Sequence, residues 1–197
     1  MSKVLKYLKP VVCFMAIFTV SATHAATVFN VGLAEGGDNL EPTVLNGTVA
    51  AGRGLTAEIG MEVGAPEDAV AFQLLLGTKL DFYEGRRLNG STATAELTSY
   101  PVHALVLLNS GRMSFGGGLA YYLNPSYTPF NGSTVNFDNA PGFAVQGRFN
   151  FGGSNRPHVG LRYTKVTFKG GDSSNFNSSV ANEVDASSVT LIFGFSI

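Results

Sequence analysis

The chain has 197 residues, 13 basic and 14 acidic, and so lacks the basic excess that nucleic-acid binding demands. Hydrophobic residues make up 45% and charged ones only 14%, yet past the first twenty residues no apolar run is long enough for a membrane-spanning helix. A single cysteine, Cys13, excludes a disulfide framework.

The first element is "MSKVLKYLKPVVCFMAIFTVSATHA". Lys3, Lys6 and Lys9 form a basic head, "VVCFMAIFTV" an apolar run about half the roughly 20 residues a spanning helix needs, and "SATHAA" suits signal peptidase. Residues 1–25 are therefore expected to be a cleaved signal peptide, and residues 26–197 one domain. Loss of the three lysines leaves 10 basic residues against 14 acidic ones, a net charge of −4. Cys13 leaves with them.

Eight stretches follow in which apolar and small or polar residues alternate with the period of a strand. In "FNVGLAEGG", Phe29, Val31 and Leu33 share a face; in "GLTAEIGMEV", Leu55, Ala57, Ile59 and Met61 oppose Thr56, Glu58, Gly60 and Glu62. "VAFQLLLGTKLDF" sets Val70, Phe72, Leu74, Leu76, Leu80 and Phe82 against Gln73, Gly77, Lys79 and Asp81. "YPVHALVLL" places His103 opposite Tyr100, Val102 and Val106; "MSFGGGLAYYLN" places Ser114, Gly116 and Gly118 opposite Phe115, Leu119 and Tyr121. "PGFAVQGRFNF" opposes Gln146 and Arg148 to Phe143, Val145 and Phe149, and "HVGLRYTKVTF" opposes His158 and Arg162 to Val159, Leu161 and Tyr163. Last, "SVTLIFGFSI" presents Val189, Leu191, Phe193, Phe195 and Ile197 on one face, with Ile192 the exception on the other.

The connections alternate in length. "GAPEDA", "NSGR" and "GGSNRP" are short; "GGDNLEPTVLNGTVAAGR", "YEGRRLNGSTATAELTS", "NPSYTPFNGSTVNFDNA" and "KGGDSSNFNSSVANEVDA" are long. Strand number, alternation and loop lengths together predict an all-β fold: an eight-stranded antiparallel up-and-down transmembrane β-barrel with short periplasmic turns and four longer outer loops. No helix or second sheet is visible to cover the apolar faces, and a basic residue at the lipid midplane costs about 2–4 kcal/mol. Glu58, Glu62, Lys79, Asp81, His103, Arg148 and Arg162 are therefore expected to face the lumen as a structural charge network, with glycines making room for them.

On "GGD", "FDNAPGF", "GLRYT" and the ending "FGFSI", nearly all of residues 26–197 resembles the small eight-stranded outer-membrane barrels of Gram-negative bacteria, the broad group of the OmpA transmembrane domain and the OmpX- and OmpW-like proteins. The resemblance implies residence in the outer membrane, contact with its lipid and lipopolysaccharide, and insertion by the barrel-assembly machinery. That machinery would read Phe193, Phe195 and Ile197, although Ile197 stands where the pattern usually ends in an aromatic ring.

Function is less specified. The lumen of an eight-stranded barrel holds little beyond its own side chains, so a plug is preferred to a selectivity lining. The expected role is structural or surface-interactive: a monomer presenting long loops to an extracellular partner, with no catalytic activity, cofactor, metal or nucleic acid. The alternatives are a narrow channel for small or hydrophobic molecules, a lipid-modifying enzyme, and a lipocalin-like soluble carrier, which would need the apolar faces inside. For the enzyme, His103 and His158 are the candidate bases, but no compact His-x-Ser pattern accompanies them; a lumen hydrogen bond is expected for His103 and an interfacial cap for His158. Asp38, Glu41, Asp138, Asp172, Glu183 and Asp185 fit no cation-binding loop spacing, and the sequons at Asn46, Asn89 and Asn131 read as Asn-Gly turns.

Overall fold

A computed structural model of the chain describes residues 25–40, 49–64, 68–86, 92–129, 134–152, 156–170 and 183–197. The signal segment up to residue 24, Glu41, Asp172 and the three sequon asparagines lie outside the described residues. The strands are β1 (Ala25–Glu35), β2 (Gly54–Val63), β3 (Val70–Arg86), β4 (Thr92–Ser110), β5 (Met113–Thr128), β6 (Val135–Asn136), β7 (Ala140–Asn150), β8 (His158–Lys169), β9 (Glu183–Asp185) and β10 (Ser188–Ser196). The expected cleavage point after Ala25 thus falls at the first residue of β1, where Ala25 pairs with Val63.

Eight of these strands form a closed antiparallel barrel. β1, β2, β3, β4, β5, β7, β8 and β10 pair in chain order, and β10 pairs with both β8 and β1. Closure is in register from Val28↔Ser196 to Glu35↔Val189, and Thr27 and Ile197 exchange backbone hydrogen bonds of 2.7 and 2.9 Å. The first and last strands thereby pair with each other, and neither is an open edge in a solvent unable to hydrogen-bond to it. β6 pairs with β5 and β9 with β8, both at the long-loop end.

The wall has its apolar face outward. Leu119 is 67% exposed and Leu108, Leu161 and Val31 more than half exposed, whereas Arg162 is 2%, Lys79 3% and Glu62 3% exposed inside. Such a surface belongs in hydrocarbon, and the molecule is a transmembrane barrel.

Toward the long loops the alternation inverts. On β8 the outward residues run Val159, Leu161, Tyr163 and then Lys165, Thr167, Lys169, while the inward ones run His158, Arg162, Thr164 and then Val166, Phe168. β4 switches between Tyr100 and Thr98: above it Thr94 and Glu96 point out and Ala95 and Leu97 are buried. Outward Phe82, level with Glu96, is an exception. The physical reason is the change of outer solvent from lipid to water, which moves the favourable place for an apolar side chain from the outside of the wall to its inside.

This inversion corrects the second long loop. Most of "YEGRRLNGSTATAELTS" is strand, with β3 continuing to Arg86 and β4 starting at Thr92. The third loop also begins later than its sequence suggests, because β5 runs on to Thr128 through a bulge in which Ser99 of β4 faces Asn124 and Pro125. Asn124 takes φ 45°, which asparagine tolerates better than most residues, and its N–H donates to Asn139 Oδ1 at 2.8 Å.

Candidate functional site: a layered lumen

The seven lumen residues singled out in the sequence are all buried, but they do not form one network. Register separates them into three levels.

Nearest the short turns, β2 contributes Glu62, β3 Gln73 and β7 Arg148. Arg148 grips Glu62 with both terminal nitrogens, at 2.5 and 2.6 Å, and Gln73 Nε2 donates to Glu62 Oε2 at 3.0 Å. Two parallel charge-assisted bonds fix both planes and offset much of the cost of burying the two charges.

One level higher, Glu58 of β2 meets Arg162 of β8. Arg162 donates to the two Glu58 oxygens at 2.5 and 3.1 Å and through Nε to Gln146 Oε1 at 2.8 Å. His103 Nδ1 of β4 lies 3.2 Å from Glu58 Oε1 and 3.3 Å from Arg162. Asn30 of β1 donates its amide to Glu58 Oε2 at 3.0 Å, which leaves Asn30 Oδ1 to accept from His158 Nε2 at 2.9 Å. His158 is therefore a buried lumen residue, 4% exposed, and not an interfacial cap. It reaches inward because Gly194 faces it: a Cβ there would collide with Asn30 Oδ1 and lie 2.6 Å from His158 Nε2. Gly194, on the small face of the last strand, admits this contact.

Lys79 and Asp81 serve a third level, where they hold the end of the first loop inside the barrel. Lys79 Nζ donates to Gly52 O at 2.5 Å and lies 3.3 Å from Ser188 Oγ; Asp81 accepts from the Ala50 N–H at 3.0 Å and from Arg53 Nε at 3.2 Å. Phe168, Phe137 and Tyr122 are in ring contact, at 5.8 Å between Phe137 and Phe168 and 5.6 Å between Tyr122 and Phe168, and belong with Leu40, Val49 and Val184 to one buried apolar cluster that also takes in Ala71, Leu105 and Leu107 nearer the short turns. Sequence reasoning missed this cluster. Its signal was present in "STATAEL" and "KVTFK" as apolar residues alternating on the opposite phase.

The chemistry available is limited. Neither histidine has a serine hydroxyl among its hydrogen bonds between described residues. Lys79 and Ser188 are the right pair of groups for a Ser–Lys dyad, but both are 3% exposed and Lys79 is committed to Gly52 O. Gln73 Oε1, His103 Nε2 and Arg148 Nε are buried without a hydrogen-bond partner among the described residues. No group of three or more potential metal ligands occurs among them.

Outside the membrane band, Asp185 clasps two loops. It accepts from Lys165 Nζ at 2.8 Å, from the Ser187 N–H at 2.9 Å and from Ser187 Oγ, and these bonds, Lys165 first, pull its carboxyl down to about 2. Asp38 joins through Oδ2, which accepts from the Asp185 N–H at 2.8 Å.

No protein-family model matches the sequence, and the search of curated proteins gave no match. Among solved structures the chain is similar to Ail, the attachment invasion locus protein of Yersinia pestis, crystallised with the heparin analogue sucrose octasulfate; the two share 10% identity over 88% of this chain and 97% of Ail, with a TM-score of 0.46.

Proposed function

We propose that the chain is exported with removal of residues 1–25 and resides in the Gram-negative outer membrane as a closed, non-enzymatic surface barrel. Phe193, Phe195 and Ile197, all outward, serve as its assembly signal. Its contribution is structural and interactive: it occupies lipid and lipopolysaccharide with its wall and offers long loops to an extracellular partner. The observation that supports this reading most is the packing of side chains across the lumen. Two buried carboxylate–arginine pairs cross it, and an apolar cluster built mostly from the strands, with Leu40, Val49 and Ala51 from the first loop, packs around and above them. A permeant ion would have to part both.

The test is conductance. The full-length mature chain, refolded into planar bilayers and checked for a boiling-dependent gel shift, is expected to give a trace indistinguishable from protein-free membrane. Stepwise openings would overturn the plug. They would favour the channel reading, for which the unpartnered His103 Nε2, Gln73 Oε1 and Arg148 Nε are the polar groups a water column would meet.

A further inference from the structure

Gln73 Oε1, His103 Nε2 and Arg148 Nε, the lumen atoms without a hydrogen-bond partner among the described residues, belong to side chains of residues only 2%, 3% and 7% exposed. A buried polar atom left unpaired is costly, and such atoms are rare in folded proteins. The first and last are held at one point. Gln73 Nε2 and Arg148 Nη1 both donate to Glu62 Oε2, at 3.0 and 2.5 Å, so the free part of each side chain flanks the same carboxylate oxygen. His103 stands one inward step nearer the long loops, because Gln73 pairs with Leu105 and Leu75 with His103.

Room beside them comes from β5, which runs between β4 and β7. Its inward side consists of Ser114, Gly116, Gly118 and Ala120, with Ala120 level with His103, Gly118 with Leu105 and Ser114 with Arg148. The interior of an eight-stranded barrel is only just wide enough for its own side chains, so a stretch of wall that carries almost none leaves space for a small guest. We propose that Gln73 Oε1, Arg148 Nε and His103 Nε2 together hold one resident water molecule against this small face of β5.

The occupant follows from donor and acceptor chemistry. Arg148 Nε–H can only donate and Gln73 Oε1 only accept, and the Gln73 amide cannot be turned over because its Nε2 is held by the Glu62 carboxylate. His103 can do either. If Nδ1 gives its proton to Glu58 Oε1 at 3.2 Å, Nε2 accepts; if Nδ1 accepts from Arg162 at 3.3 Å, Nε2 donates. An anion would answer Arg148 but face the Gln73 carbonyl, and a cation would do the reverse. A water accepts from Arg148 Nε, donates to Gln73 Oε1 and meets His103 Nε2 in either tautomer, making the roughly three bonds usual for a buried water. It joins the Glu62–Arg148 and Glu58–Arg162 levels into one network. The inference rests on the plugged lumen and names what completes it.

The sequence makes the site easy to observe. Residues 26–197 contain two histidines, His103 and His158, and two glutamines, Gln73 and Gln146. The full mature chain, carrying 13C and 15N only in histidine and glutamine and refolded into lipid nanodiscs, would be read by cross-relaxation from the water resonance. At the carbon-bound ring protons of His103 and the side-chain amide of Gln73, the laboratory-frame and rotating-frame enhancements are expected to have opposite signs, the mark of a water held far longer than surface hydration. His158, whose ring nitrogens face Asn30 and Arg156, should show no such signal. Gln73→Met removes the acceptor but keeps the Arg148–Glu62 pair, and should abolish the signal at His103. No signal at either residue of the parent chain would overturn the site, and an unchanged His103 signal in Gln73→Met would overturn the sharing of one water. Equal signals at both histidines would mean a water column in place of a single bound molecule. The first two results leave the plug standing if the bilayer trace is silent; stepwise openings would sink the plug itself. Should Gln73→Met fail the gel-shift test of folding, Gln73→Leu asks the same question.

Discussion

The two halves of the barrel solve opposite problems with the same strands. In the membrane half, β8 turns Leu161 outward and Arg162 inward; a few residues on, it turns Lys165 outward and Val166 inward. Hydrocarbon outside makes the interior the place for charge, provided each charge is paired, while water outside makes the interior the place for apolar side chains. β8 crosses the boundary as one strand, although its partner there changes from β10 to β9.

Three changes test that contrast. The largest effect belongs to the inner half: Arg162→Met leaves Glu58 buried without its partner, at a cost of about 3–5 kcal/mol, and adding Glu58→Gln should recover a large part of it. Urea titration of vesicle-refolded protein measures both; a double variant as unstable as the single one would show that the pair is not what stabilises this level. Next, Leu161→Arg should cost about 2–4 kcal/mol, while Thr167→Arg, three outward positions higher on the same strand and facing water, should change stability by no more than about 0.5 kcal/mol. Similar costs at the two positions would erase the boundary between the halves. The smallest effect lies in the loops. Asp185 has a depressed carboxyl pKa, so its clasp is complete above the ordinary carboxylate value near 4 and is lost as pH falls toward about 2. The Ser187 amide resonance should titrate with a midpoint near 2 and be pH-independent over that window in Asp185→Asn; a midpoint near 4 would mean that Asp185 is free in solution.

Much of the membrane half was legible because its signal is chemical and local. Alternation at Val70–Phe82 or Phe143–Phe149 needs only the period of a strand, and Glu58, Arg148 and Arg162 are costly on any face but the inner one. The outer half was misread where that same rule was applied past the boundary. "STATAEL" puts its polar residues where the barrel below puts apolar ones, and so it was read as loop. The partition of the charges was also out of reach. Lys79 and Asp81 share a face and are closer in sequence to Glu58 than His103 or Arg162, yet they bind Gly52 O, Ala50 and Arg53 of the first loop.

What the sequence determined by itself is the strand period, the order of short and long connections and the face on which charge must be hidden, because each depends on the nearest few residues and on the solvent they meet. Only the closed barrel decided who meets whom. Arg148 and Glu62 are 86 positions apart, Arg162 and Glu58 104, and His158 and Asn30 128. Such pairs follow from strand register and from glycines such as Gly194 that leave a side chain room to cross the lumen, and register is a property of the assembled sheet.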